Sequence, residues 1–134
     1  MSKPISDLQT LLAGMQPVLN EGVYAYSVVP SQFDVSELDV FAVMRETEGV
    51  TVITSEAEAI DAKLPILFRA AWITLEVHSD LQAVGLTAAV ANTLGEAGIS
   101  CNVVAAAHHD HVFVPIEQAC NAIERLQALQ QSRF

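Results

Sequence analysis

The chain has 134 residues, 51% hydrophobic but only 6% aromatic. That is enough for one good core, or two small ones, built from Ala, Val, Leu and Ile. Sixteen acidic residues against six basic give a net charge of −10. Such a field repels phosphate backbones and argues against a nucleic-acid partner, while it keeps a surface solvated and would attract a cation such as an ammonium group. The opening segment MSKPISDLQTLLAG has no long apolar run of the signal-peptide type. No stretch approaches the roughly 18 apolar residues of a membrane helix. The expectation is a soluble, cytoplasmic protein with no membrane partner.

In chain order, Ile5, Leu8, Leu11, Leu12 and Met15 recur at helical spacing, with Pro4 or Ser6 near the start and Pro17 past the end. Gly22 to Val29 (GVYAYSVV) reads as a strand, and Pro30 to Glu37 as a loop. Leu38 to Arg45 and Val50 to Thr54 read as a hairpin around Glu46–Gly49, with Gly49 giving the turn its positive φ. Ser55 and Glu58 have the spacing of a capping box for a helix reaching Lys63. A strand region follows from Ile66 to Val77, with Ile73, Leu75 and Val77 on one face.

After the polar loop His78–Gln82 and Gly85, the residues Leu86, Ala89, Val90, Leu94 and Ala97 form one helical face, stopped by Gly98. Ile99 to Ala107 reads as a strand, His108–Asp110 as a turn, and His111 to Val114 as the returning strand. Pro115 opens a last helix whose predicted face is Ile116, Ala119, Cys120, Ile123, Leu126 and Gln130. The back half thus reads βαββα, and the front half supplies ββ, a capped helix and spare strands, with helices over one face of an antiparallel sheet.

Catalytic patterns are few. Cys101 and Cys120 lie in apolar periodic segments and read as buried hydrophobes, with no CxxC. A Cys101–His109 thiolate pair would need Cys101 off its apolar face. Glu56 and Glu58 stand two apart on a helix and do not face each other. No G-x-S-x-G, P-loop or G-x-G-x-x-G occurs. The run His108-His109-Asp110-His111 carries metal-ligand side chains. Strand alternation sends His109 and His111 one way and His108 and Asp110 the other, so the four cannot all converge on one metal; a polar hairpin tip, a ligand contact or dimer edge, and a metal site are the alternatives.

The run VGLTAAVANTLGEAGISCNVVAAAHHDHVFVP (Val84 to Pro115) resembles the ACT domain. The resemblance is specifically to small two-ACT proteins related to the aspartokinase and CASTOR-type sensors. Gly85, Leu86, Ala88 and Val90 match its glycine-led helix start; Leu94, Gly98, Ile99 and Ser100 match its step into the next strand. Leu38 to Thr54 and Phe68 to Val90 also look like that family. The likeness covers roughly residues 5 to 130.

It implies an α+β fold of two ACT-like, ferredoxin-like βαββαβ halves, residues 1–65 and 66–134, on an antiparallel sheet with helices on one face. Nothing follows the last helix to make its fourth strand, so the N-terminal helix and Gly22–Val29 are available to complete the C-terminal half and interleave the two. It also implies regulation rather than catalysis, with no cofactor: a small ligand, an amino acid by expectation, bound by a chain that pairs as a homodimer. An unliganded structural homodimer is the alternative. The site expected is the loop into the second-half helix. Backbone N–H groups near Gly85, Leu86 and Thr87 would take a carboxylate and Asp80 an ammonium, with Val84, Ile99, Ser100 and Asn102 alongside. His78, His108, His109 and His111 are further candidates.

Overall fold

Asp7 begins the first helix by accepting hydrogen bonds from Thr10 N (3.0 Å) and Thr10 Oγ1 (2.7 Å). It can do so because its carboxylate sits three residues before an unpaired helical N–H. The computed structural model describes residues 7–77 and 85–131; Ile5 and the loop from His78 to Val84 lie outside them. Helix α1 is Leu8–Gly14. Leu11, Leu12 and Met15 point inward and are at most 2% exposed.

The next segment departs from expectation. Pro17 does not merely stop a helix: Gln16–Leu19 is a short strand, β1, antiparallel to the end of β5 (Phe68–Glu76) with Pro17 opposite Leu75. Proline is tolerated on a strand at the margin of a sheet, where its missing N–H costs no ladder bond. Residues 7–20 group with 72–131 in one compact unit, while residues 21–71 form another.

In the 21–71 unit, β2 (Tyr24–Val29) pairs along its length with β4 (Val50–Ser55), which pairs in turn with β3 (Val40–Arg45). The start of β5 joins the other side of β2 through Tyr26↔Phe68 and Tyr24↔Ala70. The order β3-β4-β2-β5 is that of a ferredoxin-like half in which a 3₁₀ turn, Val35–Glu37, stands where the first helix would be. Val29, Val50 and Val52 form its buried centre, ringed by Phe33, Val35, Leu38, Val40 and Leu64.

Gly49 closes the β3–β4 turn with the expected positive φ, and a close backbone contact adds a second reason for glycine. Its φ is +157°, and a Cβ there would sit 2.8 Å from the Val29 carbonyl oxygen. Helix α2 (Glu56–Asp61) is capped by Ser55, whose Oγ accepts from Glu58 N at 3.1 Å. The reciprocal half of the capping box is not formed. Glu58 Oε2 instead accepts from Asp39 N at 2.9 Å, tying α2 to the approach to β3.

The other unit runs from the end of β5 to helix α3 (Leu86–Glu96), strands β6 (Asn102–Ala105) and β7 (Asp110–Pro115), and helix α4 (Ala119–Gln131). The strand order here is β5-β7-β6, with β1 on the free side of β5. In this unit β1 takes the place of the fourth strand. It is not the expected Gly22–Val29 segment, which is committed to β4.

Gly98 ends α3 with φ +74°. Gly98 N bonds to Gly95 O and Ile99 N to Leu94 O, the paired bonds of a Schellman motif, with Leu94 and Ile99 both buried. Helix α4 packs against α1, α3, β1 and β7. Its buried face is Ala122, Leu126 and Leu129; of the predicted stripe Leu126 is buried, and Cys120 is exposed. The small side chain of Ala122 lets the helix approach closely, and the two leucines fill the space one and two turns on. Ile73, Leu75, Val112 and Val114 complete this core at no more than 1% exposure. A large apolar side chain buried this way contributes about 1.5–3 kcal/mol before the entropy of ordering it is counted.

Candidate functional site

The start of α3 is shaped by Gly85, the N-cap, at φ +106° and ψ −26° with no side-chain cap bond. The first helical bond runs from Ala89 N to Gly85 O. Helix geometry leaves the N–H groups of Leu86, Thr87 and Ala88 without intrahelical partners, directed back along the axis with the positive end of the helix dipole. An anion, a carboxylate above all, suits such a terminus. The Leu86 side chain is only 3% exposed, so this residue offers its backbone alone, whereas Thr87 is exposed and offers its hydroxyl as well. The preceding candidates His78, Asp80 and Val84 lie outside the described residues.

Gly85 answers to packing as well. A Cβ here would stand 3.1 Å from Leu8 Cδ2 and 3.5 Å from Leu8 Cδ1, so α1 occupies the space beside it. Ile99 is drawn into the core by the Schellman motif and is 2% exposed. Ser100 and Asn102 are exposed. Asn102 pairs with Phe113 in the β6–β7 ladder, so alternation puts it on the face that carries His111. Val112 and Val114 point to the opposite, fully buried side.

The hairpin turn between β6 and β7 falls at Ala106–His109, closed by Ala106 N to His109 O at 3.1 Å. The predicted strand end at Ala107 and turn at His108–Asp110 are thus displaced toward the N-terminus, and Asp110 already pairs with Ala105. The histidines divide accordingly. His108 is exposed in the turn, His109 is partly buried with its Nδ1 unpartnered, and His111 is in β7. Among the described residues no three His, Cys, Asp or Glu side chains gather as a metal site.

His111 belongs to a network that sequence reasoning missed. Trp72 Nε1 donates to His111 Nδ1 at 3.0 Å, and Thr74 Oγ1 stands 3.3 Å from the same nitrogen. Asn20 Nδ2 donates to Thr74 Oγ1 (2.9 Å) and to Trp72 O (3.1 Å), and Asn20 N donates to Trp72 O (2.9 Å). The Trp72 ring stacks on Phe113 at 5.7 Å and 26°. An indole N–H can only donate, so His111 Nδ1 is an acceptor and its proton resides on Nε2. Burial pushes the His111 imidazole below its ordinary range; His109 acts in the same direction and Asp110 opposes it. The alternation Trp72, Thr74, Glu76 was the available signal, on the strand face opposite the apolar residues.

Other reactive groups are quiet. Burial pushes the Cys101 thiol up, which disfavours the thiolate that a nucleophile requires. Glu56 is held low, chiefly by its hydrogen bond from Arg69, an arrangement that leaves it paired rather than poised as an acid. No helix of the described residues is long and apolar enough to cross a membrane.

Two family models of the ACT domain match the chain, one over residues 3–71 and one over residues 68–128. No curated protein matches it significantly. Among solved structures, a Vibrio cholerae protein of unknown function, described as a possible transport protein, is 41% identical. That match covers 92% of this chain and 96% of the other, with a TM-score of 0.83. A putative C-terminal regulatory domain of aspartate kinase from Porphyromonas gingivalis is similar in fold at 13% identity, covering 90% and 99% of the two chains with a TM-score of 0.63. The regulatory subunit of aspartate kinase from Thermus flavus gives 8%, 84%, 95% and 0.62 for the same measures.

Proposed function

The chain belongs to the ACT domain family, and from that premise we propose that it is a non-catalytic regulatory module whose ligand is a small zwitterion, an amino acid. The observation that carries this reading is the uncapped start of α3, where Gly85 leaves three backbone N–H groups free of intrahelical bonds. The ligand carboxylate would sit on the amides of Leu86 and Thr87, with the Thr87 hydroxyl beside it. Asp80 would take the ammonium, and Ser100 and Asn102 would add hydrogen bonds from the following segment. The acidic surface, net −10, suits a ligand with a cationic end, and the protein would act in the cytoplasm through a partner protein.

The test is a thermal-shift panel of the twenty amino acids and common divalent metals on untagged protein. One or two amino acids are expected to stabilise it, by about 2.7 kcal/mol at roughly 100-fold excess over Kd. Asp80→Ala is expected to remove the shift; if it persists, the ammonium is held elsewhere. Silence across the amino acids would defeat the reading.

A second reading is favoured by β3. This strand ends the strand order of the described residues and exposes Phe41 (47%), Val43 (37%) and Met44 (65%). An apolar edge of this kind needs cover. Antiparallel pairing with a second copy centred on Ala42 would set Asp39 against Arg45 at both ends, an isologous arrangement. Sedimentation would show a dimer that Val43→Lys dissociates, and a monomer at all concentrations would dispose of it.

A further inference from the structure

His111 Nδ1 stands within hydrogen-bond distance of two groups, Trp72 Nε1 (3.0 Å) and Thr74 Oγ1 (3.3 Å). The Thr74 oxygen already accepts from Asn20 Nδ2, so its own hydroxyl proton is free to point at the imidazole. The arrangement closes only around a neutral ring. We propose that His111 is a proton-operated latch, which when neutral ties Trp72 of β5 to β7 and when protonated expels the Trp72 indole and loosens the end of β1 at Asn20.

The argument is one of donors and acceptors. A proton added at Nδ1 would face the indole N–H, which has no lone pair to offer, so that bond is lost outright. Thr74 can reverse its role and accept from the imidazolium, but the oxygen is then shared with the Asn20 amide. Asn20 is also held by Trp72 O, through both its backbone N and its Nδ2, so the strain falls on the junction of β1 and β5. Phe113, stacked on the indole, loses its cover when the ring departs.

Among the described residues the ionisable groups around the ring are few. On its own hairpin stand His109, which disfavours the charged form, and Asp110, which favours it. On β5 Glu76 shares the face of Trp72 and Thr74, two residues beyond Thr74. On β6 the residue opposite His111 is the uncharged Val104, and β1 presents Val18 opposite Thr74 and Gln16 opposite Glu76. Asp110 eases protonation, while burial and His109 resist it. The latch is closed at neutral pH and opens under mild acid.

Trp72 is the sole tryptophan, which makes the latch directly readable. Indole emission of the full chain would be followed from about pH 8 to pH 4.5, alongside far-UV circular dichroism. The expected result is a one-proton emission change with its midpoint below the ordinary histidine value of 6.5, with helix signal retained. The change should vanish in His111→Gln and persist in His109→Gln. A transition that survives His111→Gln, or that coincides with loss of helix signal, would overturn the proposal. Should His111→Gln fail to fold, imidazole nitrogen resonances of the unmodified protein decide the matter. Nδ1 must be unprotonated at neutral pH, and an Nδ1–H tautomer refutes the latch.

Discussion

Leu8 and Gly85 compete for one space: the Leu8 Cδ2 atom lies 3.1 Å from where a side chain at Gly85 would begin, and Gly85 holds φ +106°. A single residue at the head of α3 therefore serves two needs, a left-handed turn and the close seat of α1. Gly85→Ala should cost about 2 kcal/mol, part from the left-handed backbone and part from the contact. In a double-mutant cycle monitored by urea unfolding, adding Leu8→Ala should cancel the contact portion and leave the backbone portion. Strict additivity of the two changes would show that Leu8 is not the obstacle.

Lys63 is the complementary case. It is the non-glycine residue with positive φ among the described residues, at +58°, just past α2. Its amide bonds to Ile60 O, and Leu64 N bonds to Ala59 O, so it occupies the position where helices commonly place glycine. Lys63→Gly should raise stability by about 0.5 kcal/mol, the relief of left-handed strain exceeding the added freedom of the unfolded chain. A lower urea midpoint in the variant would contradict this.

Ser55 and Glu58 separate two roles that the capping-box pattern merges. Ser55→Ala should cost about 1 kcal/mol through loss of the bond to Glu58 N. Glu58→Gln should cost little at the helix, since its carboxylate holds Asp39 N instead. Amide exchange distinguishes them: Ser55→Ala accelerates exchange in the first turn of α2, and Glu58→Gln accelerates it at Asp39. The reverse pattern would restore the reciprocal box.

What could be read from the sequence was local. Gly98 and Ile99 announced the end of α3 because a Schellman motif needs only consecutive residues, and Ser55 marked α2 for the same reason. Pro17 misled because a four-residue strand carries almost no periodicity, and its pairing with Leu75 lies far along the chain. On α4 both Ile123 and Ala122 stripes are apolar, and only the neighbouring helices decide which is buried. The His111 network is invisible in sequence because its members are 37, 39 and 54 residues apart. The Gly85–Leu86–Thr87 start was legible through the family pattern, whereas the Leu8 packing that also requires the glycine was not.

The pH dependence of stability follows from the same histidine. Burial lowers the His111 value in the folded protein relative to the ordinary 6.5, so between the two values the unfolded chain binds more protons than the folded one. Stability is then fully present above about pH 6.5 and declines as pH falls through that window toward the folded value. Asp7, Asp34 and Glu56 are each lowered by hydrogen bonds, so whatever they add is present above the ordinary carboxylate range and fades only in stronger acid. Urea unfolding at a series of pH values should therefore show a plateau near neutrality and a first decline below about pH 6.5. That first decline should disappear in His111→Gln, while the carboxylate decline remains. A decline of equal size in both proteins would place the proton uptake on another group.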